Sequence, residues 1–265
     1  MGSEPAVPYW HVNVPEADRT AECPEFLADA SDKDREILST PDQEYHIQTW
    51  DDVLQIVKSN RLEELQRVPS ELRRYKEYTW KLALEHGSVS NFVLRHRLGW
   101  ETPIRARGRP FEFPEDIKIL YNDWPYGIDP RIVHLVVWTK FSLADDTPND
   151  DLSEQRRRDI DHFVAETFCS RVPENQVSPR GEVSFIHSFN FGSERLTLLA
   201  REKVLWFRNF MSLKSIHGVE HFHVMLFDPD PEFVKFITNG DYPRSRMPGK
   251  HLPHDPVSRP GPDSL

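Results

Sequence analysis

The sequence predicts an α+β fold in which a helical N-terminal module packs on a mixed or antiparallel sheet with flanking helices. Three observations carry this reading. Apolar residues recur at helical spacing between residues 49 and 98. From residue 111 onward the apolar runs are short, β-branched and bounded by Pro, Gly and Asp. One of those runs, Val219 to Phe227, sets two histidines on a single strand face.

Residues 1–40 mix acidic side chains with Pro5, Pro8, Pro15 and Pro24 and hold no sustained period, which reads as a disordered leader. Residues 41–110 read as the helical module. Thr49, with Asp52 three residues on, supplies an N-cap and an acid in the first turn, and Val53, Ile56 and Val57 continue as one apolar stripe. A second helix starts at Pro69-Ser70, runs through Leu72, Tyr75, Tyr78 and Leu82, and stops at Gly87, where a left-handed residue costs least. A third helix follows over residues 88–98.

Residues 111–240 read as the α+β domain. DIKILY (116–121) and IVHLVVWT (132–139) are two strands separated by the turn-rich NDWPYGIDPR. Residues 151–169 put Ile160, Phe163, Val164 and Phe168 on one helical face and turn Arg156, Arg157 and Arg158 to solvent. Residues 171–201, polar and punctuated by Pro and Gly, read as an insertion that could hold a strand over 183–191. Val204 to Phe207 and Val219 to Phe227 are two further strands, and residues 230–237 form a closing helix. From Asp241 six prolines break any ladder, so residues 241–265 read as a disordered tail.

A net charge of -10 excludes a general nucleic-acid binder, because neutralising phosphates needs an excess of Lys and Arg on one face. No stretch approaches the roughly 18 apolar residues of a membrane span. The opening MGSEPAVPYW lacks the basic and apolar regions of a signal peptide, so a soluble protein of the cytoplasm or nucleus is expected. Cys23 and Cys169 are too few for a disulfide framework or a thiolate zinc site. No cofactor is expected, and nothing in the chain names a protein partner.

In the strand VEHFHVMLF, Phe222, Val224 and Leu226 make an ordinary buried face, while Val219, His221, His223, Met225 and Phe227 share the other. Two imidazoles about 7 Å apart along a strand can serve as nucleophile, acid-base group or metal ligand, because the histidine pKa lies near neutrality. The commoner fate of an isolated His-x-His is a hydrogen-bonded structural pair. A metal would need His217 or His187 as a third ligand, and spacing fixes neither. His134 is either a satisfied strand histidine or a pocket residue, and Trp124 either an aromatic wall or core. Arg105, Arg107 and Arg109 alternate in a basic loop that either contacts an anion or lies free in solvent.

The order of motifs resembles the histidine-triad superfamily of nucleotide hydrolases and transferases. Asp123 follows DIKILYN, residues 134–140 read HLVVWTK, Asn209 follows VLWFR, and His221 and His223 close the series. The resemblance implies a histidine-triad-like sheet. In it His223 would attack an α-phosphorus, His221 place the phosphate, Asn209 orient phosphate or histidine, and Asp123 contact ribose hydroxyls, with His217 near the phosphate-binding turn. Met225 stands where a third histidine belongs, and the turn FMSLKSIH has no glycine before Gly218. These departures favour a binding site over a working nucleophile. At closer range YNDWPYGID, VHLVVWTK, VLWFRN and VEHFHVML resemble the fungal N-acetylglucosamine-induced protein family. That resemblance implies a protein of nutrient response that binds a nucleotide, nucleotide sugar or sugar phosphate in a histidine-lined pocket. The alternative is a nucleotidyl hydrolase or transferase using His223.

Overall fold

The computed structural model describes residues 7–144, 152–169, 202–210, 213–214, 216 and 218–246. In chain order the helices are α1 (Glu25–Ala28), α2 (Asp32–Leu38), α3 (Trp50–Lys58), α4 (Pro69–His86), α5 (Val89–Phe92), α6 (Glu154–Val164) and α7 (Pro231–Ile237). The strands are β1 (Ile117–Tyr121), β2 (Ile132–Thr139), β3 (Val204–Phe207) and β4 (Glu220–Phe227).

Local chemistry explains where the helices of the N-terminal half begin and end. Thr49 accepts from the Asp52 backbone N–H while the Asp52 carboxylate accepts from that of Thr49, a reciprocal box that starts α3. Pro69 opens α4, where its missing N–H has no cost, and Gly87 ends it at φ 76. α5 runs on into a π-helical turn, Val93–Leu98, that closes at Gly99 with φ 64.

The sheet is antiparallel throughout, in the order β1-β2-β4-β3. Its longest strands occupy the centre, which suits runs that are apolar on both faces. On one face Leu135, Val137, Phe222, Val224 and Leu226 pack against Ile160 and Val164 of α6, Phe168, and Val234 of α7. The opposite face is roofed in two patches. Leu82 of α4 and Phe92 of α5, with Val93 and Leu98, cover Leu120, Val136, Trp138 and Val219. Trp50, Val53 and Ile56 of α3 cover Ile132, Phe207 and Met225. His221 and His223 follow Val219 and precede Met225 on this face, so they fall in the seam between the two apolar patches.

Two expectations change. Residues 7–40 are folded rather than disordered: α1 and α2 bring Leu27 and Leu38 onto Leu72 of α4, with Tyr9, Trp10 and Phe26 around them. Lys76 of α4 also pairs with Asp34 of α2. Pro15, Pro24 and Pro41 each stand just ahead of a helical turn, Pro24 at the N-cap of α1. Asp241, the first residue of the expected tail, is bonded into the fold by Arg97. The expected insertion 171–201 and residues 247–265 lie outside the described residues. Among those described, no helix is long and apolar enough to cross a membrane.

Phe222 has no exposed surface at the middle of the larger core, whereas Leu84 on α4 is 67% exposed. Phe222→Ala is expected to cost about 3–5 kcal/mol in urea unfolding, and Leu84→Ala no more than about 0.5 kcal/mol. Similar midpoints for the two variants would contradict this packing.

Candidate functional site

The register of β2 against β4 sets His134 opposite Met225, Val136 opposite His223 and Trp138 opposite His221. Alternation on both strands therefore gathers three imidazoles on one face, all of them buried. His134 Nε2 lies 3.0 Å from His223 Nδ1, and Asn209 Nδ2 lies 3.1 Å from His223 Nε2. Asn209 Nδ2 also donates to the Tyr126 hydroxyl at 3.4 Å. A neutral imidazole has one donor and one acceptor nitrogen. With Asn209 donating to Nε2, His223 donates through Nδ1–H to His134 Nε2. Asn122 Nδ2 is 3.3 Å from both nitrogens of His134 and so sits against the ring face.

His221 is placed differently. Its Nδ1 is 2.8 Å from the Val219 carbonyl oxygen. A carbonyl can only accept, so Nδ1 carries the proton and Nε2 keeps a lone pair. No described residue bonds that Nε2. The Trp138 ring lies against the imidazole, with centroids 4.5 Å apart.

Burial is the main reason these rings stay neutral. It lowers His134 to about 3, with the Arg67 charge adding to the effect. It lowers His221 to about 4, with Lys214 contributing and the bond to Val219 opposing. His223 is pushed well below its ordinary value by burial, by the two neighbouring imidazoles and by Arg67.

A cavity of about 610 Å³ lies over this row, and its walls include His221, His223, Asn209, Tyr126, Trp124 and Arg67. That volume is in the usual range for small-molecule sites. Arg67, in the loop between α3 and α4, carried no signal in the sequence. Its Nε donates to the Trp124 carbonyl at 3.0 Å, and its guanidinium stands 3.9 Å over the Tyr75 ring and 5.6 Å from Tyr126. No carboxylate pairs with it among the described residues.

The expected site residues divide. His221, His223 and Asn209 converge on the cavity. His134 stands behind His223 as the next link of the hydrogen-bonded chain. Trp124 lines the wall but packs against Tyr75 and Tyr78 of α4, at 6.2 and 5.4 Å between centroids, and its buried Nε1 has no acceptor among the described residues. Asp123 also lines the cavity, with its carboxylate held from one side. Arg97 Nε and Nη2 hold its two oxygens at 2.9 and 2.8 Å, and the same guanidinium binds Asp241 at 2.7 and 2.9 Å. Burial pushes the Asp123 carboxyl up and Arg97 pulls it down. Arg97 is desolvated, yet its two carboxylate partners outweigh that and hold its proton more tightly. Met225, at the position of a third histidine, is fully buried beneath α3. His217 and His187 lie outside the described residues, among which no three potential metal ligands cluster. Of the loop arginines, Arg107 faces Glu115 at 3.6 Å in an exposed pair away from the cavity.

Two outcomes follow from this geometry. Arg97→Ala takes the buried guanidinium from two half-buried carboxylates and is expected to cost about 3–5 kcal/mol in denaturant unfolding. For His134 the folded pKa of about 3 lies below the unfolded 6.5, so the unfolded chain binds more protons between those values. The stability linked to His134 is thus complete above pH 6.5 and is lost as pH falls toward 3. His134→Gln should flatten stability against pH between about 6 and 4.5, by up to about 1.4 kcal/mol per pH unit. An unchanged slope would show that His134 is not buried neutral.

Comparison with known proteins adds the family. A family model described as "Protein of unknown function (DUF3605)" matches residues 49–227. N-acetylglucosamine-induced protein 1 of Candida albicans is 25% identical over 211 residues, covering 72% of this chain and 73% of that protein. An uncharacterized protein of Saccharomyces cerevisiae is 25% identical over 199 residues, covering 74% of this chain and 86% of its own. The crystal structure of HTC1 matches with a TM-score of 0.51 at 26% identity, covering 72% of this chain and 94% of that one. The match to residues 49–227 takes in every strand of the sheet and the whole imidazole row, and the chain belongs to the DUF3605 family.

Proposed function

We propose that the cavity over His221 and His223 binds a small phosphate-containing ligand, a nucleotide, nucleotide sugar or sugar phosphate, in a protein of nutrient response. The observation that carries this reading is Arg67. A guanidinium on an aromatic platform, anchored through Nε and paired with no carboxylate among the described residues, is a ready partner for an anion. Around it stand neutral imidazoles and the Asn209 amide, groups that recognise a ligand without cancelling its charge. The sequence order of Asp123, His134, Asn209, His221 and His223 on an antiparallel sheet supports a histidine-triad-like reading of the fold. The name of the Candida albicans relative supports an amino-sugar response as the setting.

A second reading, a nucleotidyl hydrolase or transferase, has one observation in its favour. His221 Nε2 is an unprotonated imidazole nitrogen without a partner among the described residues. His223, the expected nucleophile, has the Asn209 amide on its Nε2 lone pair and would have to shed it before attack. On this reading His221→Ala abolishes turnover of the nucleotide substrate. Full turnover in that variant would remove this reading.

Thermal unfolding with a panel of nucleotides, sugar nucleotides and sugar phosphates tests the binding proposal. A ligand at about 100 times its dissociation constant adds about 2.7 kcal/mol, a shift of a few degrees for a chain of this size. Arg67→Met should weaken the best ligand at least about tenfold. A panel that leaves the melting temperature unmoved contradicts the proposal.

A further inference from the structure

The donor and acceptor balance of the cavity narrows the ligand class. His221 spends its only proton on the Val219 carbonyl, so the nitrogen left over is an acceptor. A phosphate oxygen brings lone pairs of its own and is repelled by that nitrogen. A hydroxyl or amide N–H satisfies it, and leaving a buried acceptor unmet is costly.

The cation stands apart from the unmet nitrogen. Arg67 stands 5.6 Å from the Tyr126 ring, which lies 5.1 Å from the His134 ring, whereas the His221 ring lies at the other end of the row against Trp138, 4.5 Å between centroids. Glu220 already lies 3.3 Å from Arg208 and 3.7 Å from Lys214, while Arg67 has no carboxylate partner among the described residues. Anion and donor are therefore called for at different ends of the imidazole row.

We propose that the ligand is a phosphorylated sugar, held with its phosphate on Arg67 and with a ring hydroxyl or amide N–H group donating to His221 Nε2. This rests on the anion-binding reading above and specifies its ligand and orientation. The histidines read the sugar, and the arginine holds the phosphate.

Calorimetric titration of the full chain at pH 7 tests it with glucose 6-phosphate, N-acetylglucosamine 6-phosphate, their monodeoxy analogues and inorganic phosphate. At least one sugar phosphate is expected to bind about tenfold or more tightly than inorganic phosphate, and one deoxy position to lose about 10 to 100-fold. His221→Phe should bring the parent sugar phosphate down to the level of that deoxy analogue and leave inorganic phosphate unchanged. Arg67→Met should weaken both. Equal binding of every deoxy analogue overturns the inference, and because that arm uses the unaltered protein it does not depend on how His221→Phe folds. So does a loss of inorganic phosphate binding in His221→Phe or Lys214→Met, which would put the phosphate on the imidazoles. If no phosphate compound binds and Arg67→Met changes nothing, the anion-binding reading fails with it.

Discussion

The pairing of β2 with β4 decides whether a site exists at all. In an antiparallel pair a slip of one residue turns every side chain to the other face. Here the apolar set Phe222, Val224 and Leu226 is fixed against α6 and α7, and that burial holds the alternate set, His221, His223 and Met225, on the opposite side. The same register sets His223 opposite Val136, with His134 two residues back along β2 and within hydrogen-bond distance of it. The hydrophobic core on one face thus specifies a polar chain on the other.

That chain survives burial because it carries no charge. Desolvation disfavours the imidazolium form, and the three histidines are buried in the seam between two apolar patches. A neutral imidazole still has to dispose of one donor and one acceptor. His223 does so through His134 and Asn209; His221 does so only in half, through the Val219 carbonyl. The unmet half is where a ligand gains. Arg67 supplies the complementary feature, a cation supported by aromatic rings instead of by a carboxylate.

Sequence reading found the parts of this arrangement that rest on short-range rules. The Thr49 cap, the Gly87 stop, the alternation of VEHFHVMLF and the place of Asn209 after VLWF are local, and the structure keeps each of them. Long-range pairing was not legible. Nothing near Asp123 in sequence announces that Arg97, 26 residues before it, and Asp241, 144 residues after Arg97, will meet there. Arg67 sits in a polar loop, LEELQRVPS, where one more charged residue carries no pattern. Residues 7–40 carry no visible period because their helices are too short for one to show, and their order comes from packing Leu27 and Leu38 on α4. Met225 read as a missing ligand, and the structure gives it a core role under α3.

His221 is a neutral imidazole protonated on Nδ1, with Nε2 open as an acceptor. Nitrogen-15 NMR of the histidine side chains, followed across pH, observes this directly. Nδ1–H shifts for His221 at neutral pH and titration near 4 are expected. A ring that carries its proton on Nε2, or that titrates near its ordinary value of about 6.5, would contradict it.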